Sequence, residues 1–314
     1  MSGIIDTDYY IPSNHVHINN IVDELSIDDE QKKRKKQYFQ KIGIQNISIW
    51  KDEDEIQIIS NIVHKLICQY SIDPNDIAYI AFCTVNSYAT KSNVSIPYVV
   101  KEICNLKNAS VYMVAQSCGS SIYSLGLMGS YFETNKEKKG IIIACNIMRR
   151  IELFDRIMNF TVIGDGCSVA LVGSENCQYE INSFSAESYG IPSYNRYRNI
   201  KQNITDMQVA SVAAFSMRRI IEKAGIADYK KIIAQNTNLV QLSVIAKLLR
   251  KPTEIMYKDN IGQGGHIGDT DTIRNLCDFT RKGDIQNGDH VLLYSSGLYD
   301  SGDIIFTSMV LKKC

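Results

Sequence analysis

The chain has 314 residues, 45% of them hydrophobic, and its 34 Lys and Arg balance 34 Asp and Glu, so its formal net charge is zero. A neutral chain offers no global field to a nucleic acid or an anionic membrane, and no run of about 20 apolar residues is available to span a bilayer. The start Met1-Ser-Gly-Ile-Ile-Asp6 turns acidic at once instead of leading into a signal peptide, so a cytoplasmic protein is expected, long enough for two fused units or one large α/β body.

In chain order, Gly3–Tyr10 reads as an opening strand. The basic run Lys32–Lys36, after Asp28-Asp29-Glu30, reads as the solvated face of a helix, with a basic rim for a phosphate-bearing substrate as the alternative. Apolar spacing predicts a helix over Asp54–Tyr70, a turn at Asp73-Pro-Asn-Asp76 and a strand over Ile77–Cys83. A helix at Ile96–Cys104, a strand at Ser110–Ala115 and a helix reaching Phe132 follow. No charged residue lies between Lys107 and Glu133, so this last helix is expected to be buried on every side. Strands Gly140–Cys145 and Cys167–Val172 close the first half, the second entered through Gly164-Asp165-Gly166, which has the form of a hairpin turn. The intervening Ile147–Ile163 has no later counterpart and is expected to cap a pocket or join a subunit interface.

From Gln178 the same order of elements returns. Strand Tyr179–Phe184, helix Asp206–Ala224, strand Ile232–Gln235, helix Leu239–Arg250 and strand Glu254–Lys258 lead to a glycine-rich turn, helix Thr270–Thr280, and strands His290–Ser295 and Ile304–Leu311. Strands alternating with helices argue for α/β layers, and the repeat argues for two halves, residues 1–175 and 176–314, related by a pseudo-twofold axis. The expected fold class is a five-layer αβαβα body with both central helices buried between two sheets. The repeat also puts the turn at Cys118 in the same slot as Gly262–Gly268, so Cys118 and His266 are predicted to face each other.

Nine cysteines are scattered without a Cys-x-x-Cys pair or a zinc-like cluster, most of them in apolar runs such as Ile141–Cys145, so neither a disulfide framework nor a metal site is expected. Cys118, in Gln116-Ser-Cys-Gly-Ser-Ser121, stands apart because it sits at a strand-to-helix junction, where the helix dipole favours a thiolate. Of the five histidines, His15, His17, His64 and His290 suit surface or structural places. His266 lies among glycines that let a ligand approach the backbone, with Asp269 and Asp271 close behind. Thiol, imidazole and carboxylate together suit nucleophilic acyl transfer. The thiolate attacks an activated acyl group, the imidazole moves protons for a gain of roughly 10²–10⁴, and the acid orients the ring. Asp271 is the first choice for that acid and Asp269 the second. Backbone N–H groups at Cys118 and at a turn Ser295-Ser-Gly297 would receive the oxyanion. Gly262-x-Gly-Gly-x-x-Gly268 has the wrong spacing for a dinucleotide fingerprint, and Trp50, the sole tryptophan, is read as core in preference to the flank of a cofactor entrance.

Lys41-Ile-Gly-Ile44, Cys118-Gly-Ser-Ser-Ile-Tyr-Ser-Leu125, Gly164-Asp-Gly-Cys-Ser-Val-Ala-Leu-Val172, Gln235-Asn-Thr-Asn-Leu239 and Ser295-Ser-Gly297 occur in that order over nearly the whole chain. Together they resemble the thiolase-fold condensing enzymes of the ketoacyl synthase III group. The resemblance implies a thiolase-like five-layer fold, a dimer, and a cysteine acylated by acyl-CoA or an acyl carrier protein, with no permanently bound cofactor. It also implies supporting places around the site for Gln235, Asn238 and Gly297. Condensing members carry His where this chain has Gln235, and Asn where it has His266, so the pair that decarboxylates malonyl thioesters is missing. The remaining Gly-His-x-x-x-x-Asp pattern with Cys118 is similar to the ketoacyl-synthase-III-like acyltransferases of secondary metabolism. The resemblance then implies transfer from acyl-CoA or a phosphopantetheine-linked donor, through Cys118, to a hydroxyl, amine or carbon nucleophile, with His266 as base and Asp271 as orienter. The alternatives are a condensing enzyme joining an acyl-cysteine to a malonyl or β-keto thioester, and a partner subunit of a heteromeric synthase, as homodimer or heterodimer.

Overall fold

The computed structural model describes residues 1–84, 94–190, 193, 206–298 and 303–314. The strands are β1 (Gly3–Tyr10), β2 (His15–His17), β3 (Asn46–Ser48), β4 (Ile77–Cys83), β5 (Ser110–Val114), β6 (Lys139–Asn146), β7 (Gly166–Gly173), β8 (Tyr179–Tyr189), β9 (Lys231–Ile233), β10 (Gln263–Gly264), β11 (His290–Leu298) and β12 (Ile304–Lys313). The helices are α1 (Ile18–Asp23), α2 (Asp29–Ile42), α3 (Glu55–Gln69), α4 (Ile96–Ile103), α5 (Ser120–Phe132), α6 (Asp206–Ala224), α7 (Leu239–Leu248) and α8 (Thr270–Lys282).

The main sheet runs β5-β4-β6-β7-β1-β8-β12-β11-β9, and its joint is narrow: β1 meets β8 through Gly3↔Glu180 and Ile4↔Tyr179. On either side of that joint the order repeats. β5-β4-β6-β7-β1 is answered by β9-β11-β12-β8, with Met256 bridging Ile232 in the place of the outermost strand. A full strand over Glu254–Lys258 is not formed. Pro252 starts a 3-10 turn, Thr253–Ile255, which leaves Met256 and Tyr257 extended, the latter donating to the Ile232 carbonyl at 2.9 Å.

Strand periodicity sends alternate residues to opposite faces, which builds the layers. In β6, Ile141, Ile143 and Cys145 pack on the outside with α3 and α4, while Ile142 and Ala144 enter the middle core. In β11, Val291 and Leu293 enter that middle core from the other side, and Leu292 and Tyr294 pack outward with α6 and α7. α5 and α8 fill the middle layer with Ile122, Leu125 and Phe132, and with Ile273, Leu276 and Phe279. The result is a five-layer αβαβα fold of the thiolase type. α5 is not buried all round, because Leu127 and Tyr131 on one stripe are exposed beside the edge strand β5. α8 is buried from Thr270 to Cys277 despite its polar sequence. α2 behaves as expected of its lysine run: Phe39 and Ile42 are buried, and Lys33 and Arg34 face solvent.

No helix among the described residues is long and apolar enough to cross a membrane, and none of them groups three or more His, Cys, Asp or Glu as a metal site.

Candidate active site

Cys118 ends the tight passage from β5 into α5. Ser117, just before it, is held at φ +47°, a left-handed conformation that costs a non-glycine residue of order 1 kcal/mol or more and needs support from its surroundings. β11 supplies that support. Ser117 Oγ donates to the Leu298 carbonyl at 3.1 Å, and Gly297 packs so closely on Ser117 that a Cβ there would come within 2.6 Å of the serine Cβ. Ser295-Ser-Gly297 is therefore part of β11, not a turn. The long run of β11 against β12 carries the chain past Ser117.

His266 reaches the sulfur from the other half of the chain, its Nε2 3.5 Å from Cys118 Sγ. The loop that carries it is stapled to the first half by main-chain bonds: His266 N donates to the Val162 carbonyl at 2.8 Å, and Gly164 N donates to the His266 carbonyl at 3.0 Å. The two loops approach so closely that a Cβ on Gly164 would lie 1.8 Å from the Gly264 carbonyl oxygen, so only glycine fits. Gly164-Asp165-Gly166 is thus a contact between loops, not a hairpin turn. Its Asp165 is fully buried, pairs with Arg156 at 3.0 Å, and accepts from the Trp50 and Met148 backbone N–H groups. Burial lifts the Asp165 carboxyl above its ordinary range even against that guanidinium. Trp50 itself is core, 5.3 Å from Tyr10 in a stacked pair.

Asp271, wholly buried at the start of α8, lies 2.6 Å from His266 Nδ1. Its carboxylate also accepts from Asn236 N and Nδ2, both at 3.0 Å, and from Ile267 N at 3.2 Å. Asn236 is a site residue that sequence reasoning missed; its one signal was its place between Gln235 and Asn238 just after β9. Asp269, the second choice for the acid, does not contact the imidazole. It turns to α5, where Oδ1 accepts from Ser121 N at 2.8 Å. Burial works against charge on His266, but the hydrogen bonds to Asp271 and Cys118 outweigh it and push the imidazole up to about 10. The proton is thereby held on the ring.

Gln235 and Asn238 are brought near the site but not aimed at the sulfur. Gln235 Nε2 donates to the Cys118 carbonyl at 3.1 Å and its Oε1 accepts from Ser296 N at 3.0 Å, so both ends of the amide are spent on backbone. Ser295 Oγ donates to the same Cys118 carbonyl. Asn238 caps α7 through Gln241 N at 2.7 Å and donates to the Phe160 carbonyl at 2.9 Å.

Cys118 and His266 open into a cavity of about 520 Å³. The segment Ile147–Ile163 covers it with Met148, Met158 and Phe160, pinned there by the Arg156–Asp165 pair, and α6 and α7 add Met207 and Val240. Lys41 of α2 lies on the lining.

No family model matches the chain. Curated proteins do. It is 22% identical over 322 residues to the β-ketoacyl-[acyl-carrier-protein] synthase III of Listeria monocytogenes serotype 1/2a, covering 99% of this chain and 98% of that one. It is also 22% identical over 312 residues to the synthase III of Clostridium perfringens ATCC 13124, covering 92% and 93%. Among solved structures the fold matches the acyltransferase ChlB3 with a TM-score of 0.81 at 13% identity, covering 99% of this chain and 97% of that one. The 3-oxoacyl-[acyl-carrier-protein] synthase III of Aquifex aeolicus matches with a TM-score of 0.78 at 18% identity, covering 99% and 100%. End-to-end similarity to the curated synthases, together with the shared fold, leads to one conclusion: the chain has the thiolase-type fold and is similar along nearly its whole length to the β-ketoacyl-[acyl-carrier-protein] synthase III enzymes.

Proposed function

We propose that this enzyme is an acyltransferase that carries its acyl group on Cys118 and passes it to a hydroxyl, amine or carbon nucleophile without decarboxylation. The observation that carries the reading is the chain of contacts Cys118 Sγ, His266 Nε2, His266 Nδ1, Asp271, at 3.5 and 2.6 Å. Residues 1–175 supply the nucleophile and residues 176–314 the base and acid. With the thiol proton already held on His266, the sulfur attacks the thioester carbonyl, and the imidazolium returns that proton to the departing pantetheine thiolate. The neutral ring then removes a proton from the acceptor, which displaces the acyl group and restores the sulfur and the imidazolium. The Cys118 share of the rise in His266 basicity disappears once the sulfur is acylated, which favours release of the proton at the right stage. The N–H groups of Cys118 and Gly297 are the proposed oxyanion donors, and acyl-CoA or an acyl carrier protein the donor, with Lys41 at hand for its phosphates. The exposed Met113, Leu127 and Tyr98 along the edge strand β5 support pairing with a second, identical or related chain.

Condensation is the second reading, favoured by the names of the curated relatives. Against it stands Gln235, whose Nε2 and Oε1 are each bonded to backbone, at the Cys118 carbonyl and Ser296 N. One experiment tests both: incubation with an acyl-CoA panel, then with acceptor or malonyl thioester. Self-acylation lost in Cys118→Ala, transfer lost in His266→Ala, and no carbon dioxide release are expected. Labelling that survives Cys118→Ala refutes the nucleophile, and rapid carbon dioxide release transfers the assignment to condensation.

A further inference from the structure

We infer, on the acyl-transfer reading above, that Asp269 is a positioning residue: it caps the helix that presents Cys118, and its protonation state sets how much of that helix's N-terminal field is left to the sulfur. α5 cannot cap itself, because its N-cap is Gly119 and no side chain of its own turn bonds its first N–H groups. The cap comes from the other half of the chain. Asp269 Oδ1 accepts from Ser121 N at 2.8 Å, and Ser121 Oγ donates back to the Asp269 carbonyl at 3.1 Å. The nucleophile lies three residues before Ser121, on the same helix tip.

Asp269 is an unusual cap. It is 2% exposed, and its second oxygen, Oδ2, has no hydrogen-bond partner among the described residues. A buried carboxylate with one bare oxygen resists ionisation. Burial accordingly lifts it to about 7, against the opposing pull of the Ser121 N–H, the Ser120 and Ser121 hydroxyls and a charged His266. The titratable groups around it are His266 on its own loop, Cys118 at the helix tip and Cys83 at the end of β4; Cys83 is itself held protonated by burial and lies 3.3 Å from Ser124 of α5. Asp271, two residues on, is turned away onto His266, Asn236 and Ile267. Two anions cannot share one helix end without cost. Protonated, Asp269 caps α5 and leaves the positive field to the Cys118 thiolate. Ionised, it takes that field for itself and holds the sulfur back.

The test reads the sulfur directly. Alkylation of Cys118 by iodoacetamide is followed from about pH 5 to about pH 9 by peptide mass mapping, which separates it from the exposed Cys68 and Cys314. Asp269→Asn keeps an oxygen for the Ser121 N–H and removes the charge. Its Cys118 rate should match the wild type near the acid end and exceed it about tenfold above neutrality, the scale of one pKa unit. Asp269→Glu should keep the wild-type curve. If Asp269→Asn does not fold, Asp269→Ser, another neutral cap, is read in the same way. A neutral-cap curve that superimposes on the wild type, or lies below it at every pH, overturns the proposal. No acyl donor takes part, so a shifted curve without an acyl adduct would sink the acyl-transfer reading alone, and an unshifted curve with an intact adduct would sink this one alone.

Discussion

Asp271→Asn isolates the charge of the buried acid while keeping its size. The carboxylate serves four donors: His266 Nδ1 at 2.6 Å, Asn236 N and Nδ2 at 3.0 Å, and Ile267 N at 3.2 Å. An asparagine must turn its NH₂ toward one of them. Asn236 cannot flip to accommodate it, because its Oδ1 already accepts from Asn275 Nδ2 at 2.9 Å. One buried donor therefore meets another, at about 1–3 kcal/mol, and the charge-assisted bond to the imidazole, about 1.5–3 kcal/mol, is lost as well. The second loss alone slows any step that forms imidazolium by roughly 10–100-fold, and a ring held in the wrong tautomer brings the total toward about 10⁴. The assay separates the half-reactions, with the Cys118 adduct followed by mass and the acylated acceptor by chromatography. The adduct should still form while transfer falls about 10²–10⁴-fold. A folded Asp271→Asn enzyme that transfers within about threefold of wild type would refute the role of Asp271 and the energetic argument behind it.

Two further outcomes rest on burial. Gly164→Ala forces a Cβ against the Gly264 carbonyl at 1.8 Å, so the loops must part; a loss of about 3 kcal/mol, several degrees of thermal midpoint, is expected, and an unchanged midpoint would show that the loops have slack. Stability should also fall as pH rises from about 5 to about 8. Asp269, pushed to about 7, keeps its proton in the native state where the unfolded carboxyl, near 3.9, has lost it, so its contribution is present below about 4 and gone above 7. His266, pushed to about 10, adds stability that is full below about 6.5 and declines above it. A thermal midpoint that climbs over this range contradicts both shifts.

The pairing of Cys118 with His266 was legible because an internal repeat makes equivalent turns meet, and Asp271 followed from its spacing along one loop. What escaped were contacts between side chains and distant backbone. Gln235 read as a weakened donor, yet its amide locks the Cys118 carbonyl to β11. Asp269 read as a spare acid for the histidine, yet it caps a helix 148 positions away in sequence. α8 shows the same limit. Its burial follows from its central place in the repeat, but not the way Thr270 and Asn275 are satisfied there, by the Ala144 and Ala234 carbonyls that no local pattern announces. The 3-10 turn after Pro252 shortened an expected strand for a simpler reason, since its backbone was already committed.

The staple between the Val162–Gly164 stretch and His266 uses main-chain atoms alone. Its geometry is therefore indifferent to which side chain stands at position 266, provided the tightly packed glycines remain. A lineage can then exchange the residue displayed there, and with it the chemistry, without renegotiating how the two halves register. That separation between what holds the loop and what the loop presents offers a physical route by which a chain 22% identical to a synthase keeps the same frame while displaying a different residue at the sulfur.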